Sequence, residues 1–220
     1  MTPVKTPPQH AVPWWTWMIF LLVTAVSGWA LPHLPARVAT HFSANGQANA
    51  YMPKTLAVLA GPVLVLSVIG LWQILWRIDP KRAGYPAFWP TYRFVGGLTA
   101  AFIGATQAWV IGHALGWPVS SVRVVPILVG LLLLLLANVL PRVKPNWWIG
   151  VRTPWTLSND AVWAKTHLWA GRLGVAAGLL LMLGGWMAPA QAALALITWV
   201  VAGWGSAVIV LSWIFFRINH

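Results

Sequence analysis

Six apolar runs decide what this chain can become. They cover about residues 14–31, 55–76, 93–115, 123–140, 167–187 and 192–216. Each approaches or exceeds the roughly 20 residues that a helix needs to cross the hydrocarbon core of a bilayer. Within lipid a single segment satisfies its own backbone only as a helix. The expected fold is therefore all-α: a polytopic membrane protein built as a bundle of six transmembrane helices. Composition agrees, because 59% of the residues are hydrophobic and only 7% are charged, against about 25% charged in a soluble domain. The first run could pass for a signal peptide, with Gly28-Trp29-Ala30 as a weak cleavage site. Its length and the Trp14, Trp15 and Trp17 anchors favour an uncleaved helix.

An even number of spans returns both termini to one side, and the basic residues choose that side. Arg77, Lys81, Arg82 and Arg93 flank the second connection; Arg142, Lys144, Arg152, Lys165 and Arg172 lie in or beside the fourth. Lys5 and Arg217 mark the ends, and the opposite side has only Arg37, Lys54 and Arg123. Positively charged loops stay inside. The expected placement is a bacterial cytoplasmic (inner) membrane, multi-pass, with both termini and the long fourth loop in the cytoplasm. The net charge of +12 is thus a topology signal, and direct nucleic-acid binding is not expected. Eighteen Trp suit a protein whose partner is the lipid bilayer, because the amphipathic ring collects at the interface.

The chain divides into a disordered, Pro-rich lead at 1–13, a three-helix module at 14–115 with an extracytoplasmic loop at 32–54, and a second three-helix module at 116–220 with a cytoplasmic loop at 141–166. In the third run Gly96, Ala100, Gly104, Ala108, Gly112 and Gly116 recur every four residues, and the fifth carries Gly171, Gly174, Gly178 and Gly185. Small residues at that spacing let helices approach closely. They serve packing within the bundle, with a homo-oligomer interface as the other use.

Polar chemistry is concentrated in two places. The first loop holds His41, Phe42, an Asn45-Gly46 turn signal, Asn49, Tyr51 and Lys54. One His among neutral amides is a poor metal site, so a hydrogen-bonded cap is expected there and no metal. The fourth loop holds Asn146, Gly150, Arg152, Thr153, Pro154, Trp155, Thr156, Ser158, Asp160, Trp163, Thr166, His167 and Arg172. Pro154 biases Thr153 towards extended backbone. Ser158 reads as the N-cap of a helix with Asp160 in its first turn, continuing into the fifth span. Arg152 and His167 are the expected partners of Asp160, and a histidine at a membrane boundary could titrate near neutral pH. Two uses stay open: a scaffold with its Trp side chains seated at the lipid surface, or a docking platform and protonation-sensitive latch.

These two stretches carry a resemblance. The run Asn146, Ile149-Gly150, Arg152-Thr153-Pro154-Trp155-Thr156-Leu157-Ser158, Trp163, Thr166-His167, Gly171-Arg172 resembles the hallmark of the SdpI family almost position for position. His41-Phe42 followed by Gly46, Tyr51, Lys54 and a helix with Gly61-Pro62 resembles the N-terminal module found in such proteins. Relatives commonly carry acids in that first motif, where this chain has Gln47 and Asn49. The resemblance implies a membrane protein giving immunity to, or signalling in response to, a secreted toxic peptide, which can hold a cytoplasmic transcriptional repressor at the membrane.

Enzyme chemistry has little to work with. There is no Glu and no Cys, and the two acids, Asp79 and Asp160, fall in different loops. Paired-carboxylate catalysis and Glu-dependent zinc motifs are therefore not expected, nor is a cofactor. The alternative function is a proton-coupled or small-solute transporter or channel using Gln73, Gln107, His113 and Asn138, since ionisable groups at membrane depth are functional suspects.

Overall fold

The computed structural model describes residues 10–43, 46–118 and 120–219. Lys5 with most of the N-terminal lead, and Asn45 of the expected turn, lie outside the described residues. Seven α-helices occur among them: α1 (Trp14–Ala30), α2 (Lys54–Ile78), α3 (Trp89–Ala114), α4 (Ser121–Val139), α5 (Pro154–Ser158), α6 (Asp160–Met187) and α7 (Ala190–Ile218). Two strands, β1 (Arg37–Phe42) and β2 (Ala48–Pro53), pair antiparallel between α1 and α2. The protein is an all-α polytopic membrane protein. Five helical segments are long and apolar enough to cross a membrane, and α1, at 17 residues, is shorter. It sits at the lower limit of the usual range of roughly 17–25.

The first loop, expected as a hydrogen-bonded cap, contains this hairpin. Val38 pairs with Met52 and Ala39 with Tyr51, with register shifts on either side of His41. Gly46 takes φ +82 at the tip, and the Ser121 hydroxyl donates to its carbonyl (3.0 Å). The hairpin therefore lies at the same end of the bundle as the start of α4. Val38 and Leu34 are buried there with Ala30, Ala57, Val58 and Ile111.

The opposite end carries both described chain ends and the 143–159 loop. Arg93 donates to the carbonyl of Val12 (3.2 Å), and Lys165 donates to the Asn219 side chain (3.0 Å). Although 1–13 reads as a disordered lead, Ala11 and Val12 are buried. They pack into clusters with Tyr85, Trp89 and Trp163 and with Val65 and Ala100 respectively.

Glycine and alanine set how closely the helices meet. A Cβ on Gly178 would lie 2.6 Å from the Gly130 carbonyl oxygen, and one on Gly171 would lie 2.8 Å from that of Ala137. The backbones of α4 and α6 are thus in near contact, as small-residue interfaces permit. On α3, Gly96 faces the Trp72 ring and Gly104 faces Ile19 and Val23. These two ridge positions serve packing between helices of the same chain.

Candidate functional site

The 143–159 loop is held at almost every turn by its own polar groups. The Asn146 side chain is fully buried. Its Nδ2 donates to the carbonyls of Lys144 and Ile149 (both 2.9 Å), and its Oδ1 accepts from the amides of Trp148 (2.8 Å) and Ile149 (2.7 Å). One amide thus replaces the backbone ladder that a loop lacks. Gly150 follows at φ +108, and a Cβ there would meet His167 Nε2 at 2.2 Å. Here the glycine is required twice, by conformation and by space.

That close approach serves a hydrogen bond. The Val151 N–H donates to His167 Nε2 (3.0 Å), while His167 Nδ1–H donates to the Trp163 carbonyl (2.9 Å). The two ring nitrogens have opposite roles, which is the pattern of a neutral imidazole. His167 is fully buried and stacks on Trp163 at 4.1 Å between centroids. The expectation of a titrating latch that pairs with Asp160 is corrected: this histidine pins Gly150-Val151 to α6, and an imidazolium would set a second donor against the Val151 N–H.

Thr153 and Thr156 form a reciprocal capping box at the start of α5. Thr156 N–H donates to Thr153 Oγ1 (3.2 Å) and Thr153 N–H to Thr156 Oγ1 (2.9 Å). Thr153 is extended as Pro154 demands, at φ −104 and ψ 162, but Pro154 and Trp155 then enter a helical turn instead of prolonging the extended segment. The Thr153 hydroxyl also reaches Ser212 on α7 (3.1 Å). Because α5 takes Ser158 as its last residue, the cap of α6 falls one place later. Asn159 Oδ1 accepts from the amides of Ala161 (2.9 Å) and Val162 (3.1 Å), which corrects the reading of Ser158 as N-cap. Asp160 does sit in the first turn of α6.

The expected Arg152–Asp160 pair is also corrected. Arg152 reaches back to the Trp147 carbonyl (2.6 Å), and Asp160 is exposed beside Lys144 and Trp163 at a cavity of about 240 Å³. The acid that organises the loop is Asp79, which sequence reasoning left unassigned. It is 2% exposed and accepts from the Tyr85 hydroxyl (2.7 Å), the Lys81 amide (2.7 Å) and the Trp147 amide (2.9 Å). Lys81 Nζ then donates to the Leu157 carbonyl (3.2 Å). The turn after α2 therefore grips the loop near both its ends. Its rarity was the available signal: Asp79 is one of two acids and opens an Asp-Pro turn.

Around this grip lies an aromatic cluster of Tyr85, Phe88, Trp89, Tyr92 and Trp163. Trp163 Nε1 donates to the Val143 carbonyl (2.8 Å). Thr166 is buried on α6, and Arg172 lies over the Trp169 ring at 5.2 Å. Outward, the loop end presents Trp147, Trp148, Arg152, Pro154, Ser158 and Asp160.

Residues 142–217 match the SdpI/YfhL protein family. This is an SdpI-family module. Residues 18–66 match a second family model, described as a domain of unknown function (DUF1648); the hairpin motif falls inside that segment. No curated protein and no solved structure matches the chain. The SdpI module therefore contains the whole Asn146–Arg172 run, and Asp79, which grips it, comes from outside the matched segment.

The other candidates are dispersed. At the hairpin end His41 Nδ1 lies 2.6 Å from Asn49 Oδ1, Arg37 donates to the Tyr51 carbonyl (3.3 Å), and the Lys54 amide donates to Ala36 (3.0 Å). Phe42 packs on Trp109 and His113, with centroids 5.0 and 5.1 Å away. Of the intramembrane polar groups, Gln107 Nε2 donates to the Ala57 carbonyl (3.0 Å) and to Ser27 Oγ (3.3 Å), tying α1, α2 and α3 together. Asn138 is exposed, and Gln73 Oε1 lies 3.4 Å from an Arg77 nitrogen.

Proposed function

We propose that the protein is a non-enzymatic SdpI-type membrane protein giving immunity to, or signalling in response to, a toxic peptide. The 146–160 loop is its reporting surface. Binding at the bundle or hairpin would shift the turn after α2, and Asp79 and Lys81 would pass that shift to the loop. The outward Trp147, Trp148, Arg152 and Asp160 would meet a cytoplasmic partner such as a transcriptional repressor. The observation that carries this reading is the Asp79 carboxylate, shared between Tyr85 and the Trp147 amide 68 residues away. The family match supports the membrane context. The excess of basic residues at the loop end supports a bacterial inner membrane with that end and both termini in the cytoplasm.

The test is protection of cells against a secreted antimicrobial peptide, scored beside membrane abundance. Arg152→Ala and Asp160→Ala change exposed side chains, Arg152→Ala also removing its bond to the Trp147 carbonyl, and are expected to abolish protection or signalling at normal abundance. Asp79→Asn is expected to do so by releasing the loop. Full activity of all three variants would reduce the loop to a scaffold.

A further inference from the structure

The hairpin is a sheet of two strands with one side left open. β1 is the inner strand, packed on α2 and α3, with Val38 buried and Phe42 against the Trp109 ring. β2 is the outer one. Asn49, Ala50 and Tyr51 are exposed in succession, and since successive side chains point to opposite faces, both faces of β2 are open there. No third strand lies beyond it among the described residues. The outer edge of a strand carries unpaired N–H and C=O groups, which proteins guard with charges or proline. From Ala48 to Met52 the sequence is Ala-Asn-Ala-Tyr-Met, without either. Two strands alone are marginally stable, and a third adds a ladder of main-chain bonds.

Charge decides what kind of strand fits. Arg37 pairs opposite Pro53, next to Lys54, so two cations stand at one end of the open edge. Arg37 is exposed and reaches the Tyr51 carbonyl at 3.3 Å, a long bond that leaves most of its five donors free for an anion. Neither cation has an acid to pair with. Asp79 closes α2 and Asp160 opens α6, both at the opposite end of the bundle.

We propose that β2 binds an extended peptide segment bearing a carboxylate, its main chain laid along Ala48–Met52 as a third strand and its acid on Arg37 or Lys54. This gives the toxic peptide of the reading above a binding site, and rests on that reading. On the topology proposed there, the hairpin faces out of the cell, where a secreted peptide arrives.

The test is fluorescence anisotropy of labelled peptides titrated with the full chain in phosphatidylcholine nanodiscs, with empty discs as the blank. The probes are Val-Glu-Val-Glu-Val-Glu, its Lys and Gln counterparts, and the Glu peptide N-methylated at every residue. The Glu peptide is expected to bind about tenfold tighter than the Lys peptide, the effect of one charged hydrogen bond. Full N-methylation keeps the carboxylates, removes the main-chain donors, and is expected to abolish binding. Arg37→Gln with Lys54→Gln is expected to bring the Glu and Gln peptides to equal affinity without weakening the Gln peptide. Equal affinity of the wild type for the Glu and Lys peptides, or undiminished binding of the N-methylated one, overturns the proposal. Disulfide-linked dimers of Ala50→Cys in native membranes would overturn it too: antiparallel partners lie about 4.5–5.5 Å apart, so a second copy would then fill the edge. If a chain that protects cells binds none of the peptides, the site falls and the immunity reading stands. Peptide binding by a chain that does not protect supports the site alone.

Discussion

Asp79 and Gly150 show how much of the loop rests on single side chains. Asp79 offers two oxygens to three donors, and a hydrogen bond to a charged group is worth about 1.5–3 kcal/mol. Asp79→Asn keeps the shape and replaces one acceptor by a donor facing other donors. Stability in detergent, followed by thermal melting, is expected to fall by an amount of that order. Asp160→Asn, on the exposed start of α6, is expected to stay within about 0.5 kcal/mol of the wild type. Gly150→Ala adds a Cβ against His167 Nε2 at φ +108, where the backbone strain alone is about 1–3 kcal/mol. The same melting assay is expected to rank it among the most destabilising single changes in the loop. The chemistry of these residues was only partly legible in the sequence. Pro154 foretold the extended Thr153, and the run from Asn146 to Arg172 stood out by composition. The partner of Trp147 was hidden because it lies 68 residues away, and no local rule pairs a carboxylate with a distant backbone amide. The Arg152–Asp160 expectation failed for the complementary reason: nearness in sequence suggested a pair, and the Trp147 carbonyl lay closer.

At the scale of elements, helix spacing was the most readable property. Apolar runs located every long helix, and the glycine pattern foretold close packing, which the α4–α6 contact realises through Gly130, Gly171 and Gly178. Gly178→Ala would put a methyl 2.6 Å from the Gly130 oxygen, and forced separation of packed elements typically costs about 1–3 kcal/mol. Gly203→Ala on α7 meets nothing within 4 Å, so it is expected to be neutral or slightly stabilising. Thermal melting of the two variants in one detergent checks the contrast. The β-hairpin was less readable. Asn45-Gly46 is a hairpin turn signal, and Val38 and Thr40 favour strands, but the flanking segments are short and the apolar runs on both sides dominate the pattern. The helical caps differ by one residue from expectation because α5 intervenes, a turn of five residues too short for periodicity to register.

At the scale of the molecule, the two ends of the bundle differ in kind: a hairpin with few charges at one, a bonded loop with most of the basic residues at the other. Absence of Cys makes the orientation simple to test. Gln47→Cys in the hairpin is expected to react with a membrane-impermeant maleimide in intact cells, and Ser158→Cys only after permeabilisation; the reverse pattern would invert the topology. The more central claim is mechanical, that the turn after α2 holds the SdpI loop in place. Hydrogen-exchange mass spectrometry of the wild type and Asp79→Asn in the same lipid discs tests it most directly. Faster exchange across 146–158 in the variant, with the middle of α6 unchanged, is the expected result. Equal protection of 146–158 in the two proteins would show that the loop stands without Asp79, and would contradict the account.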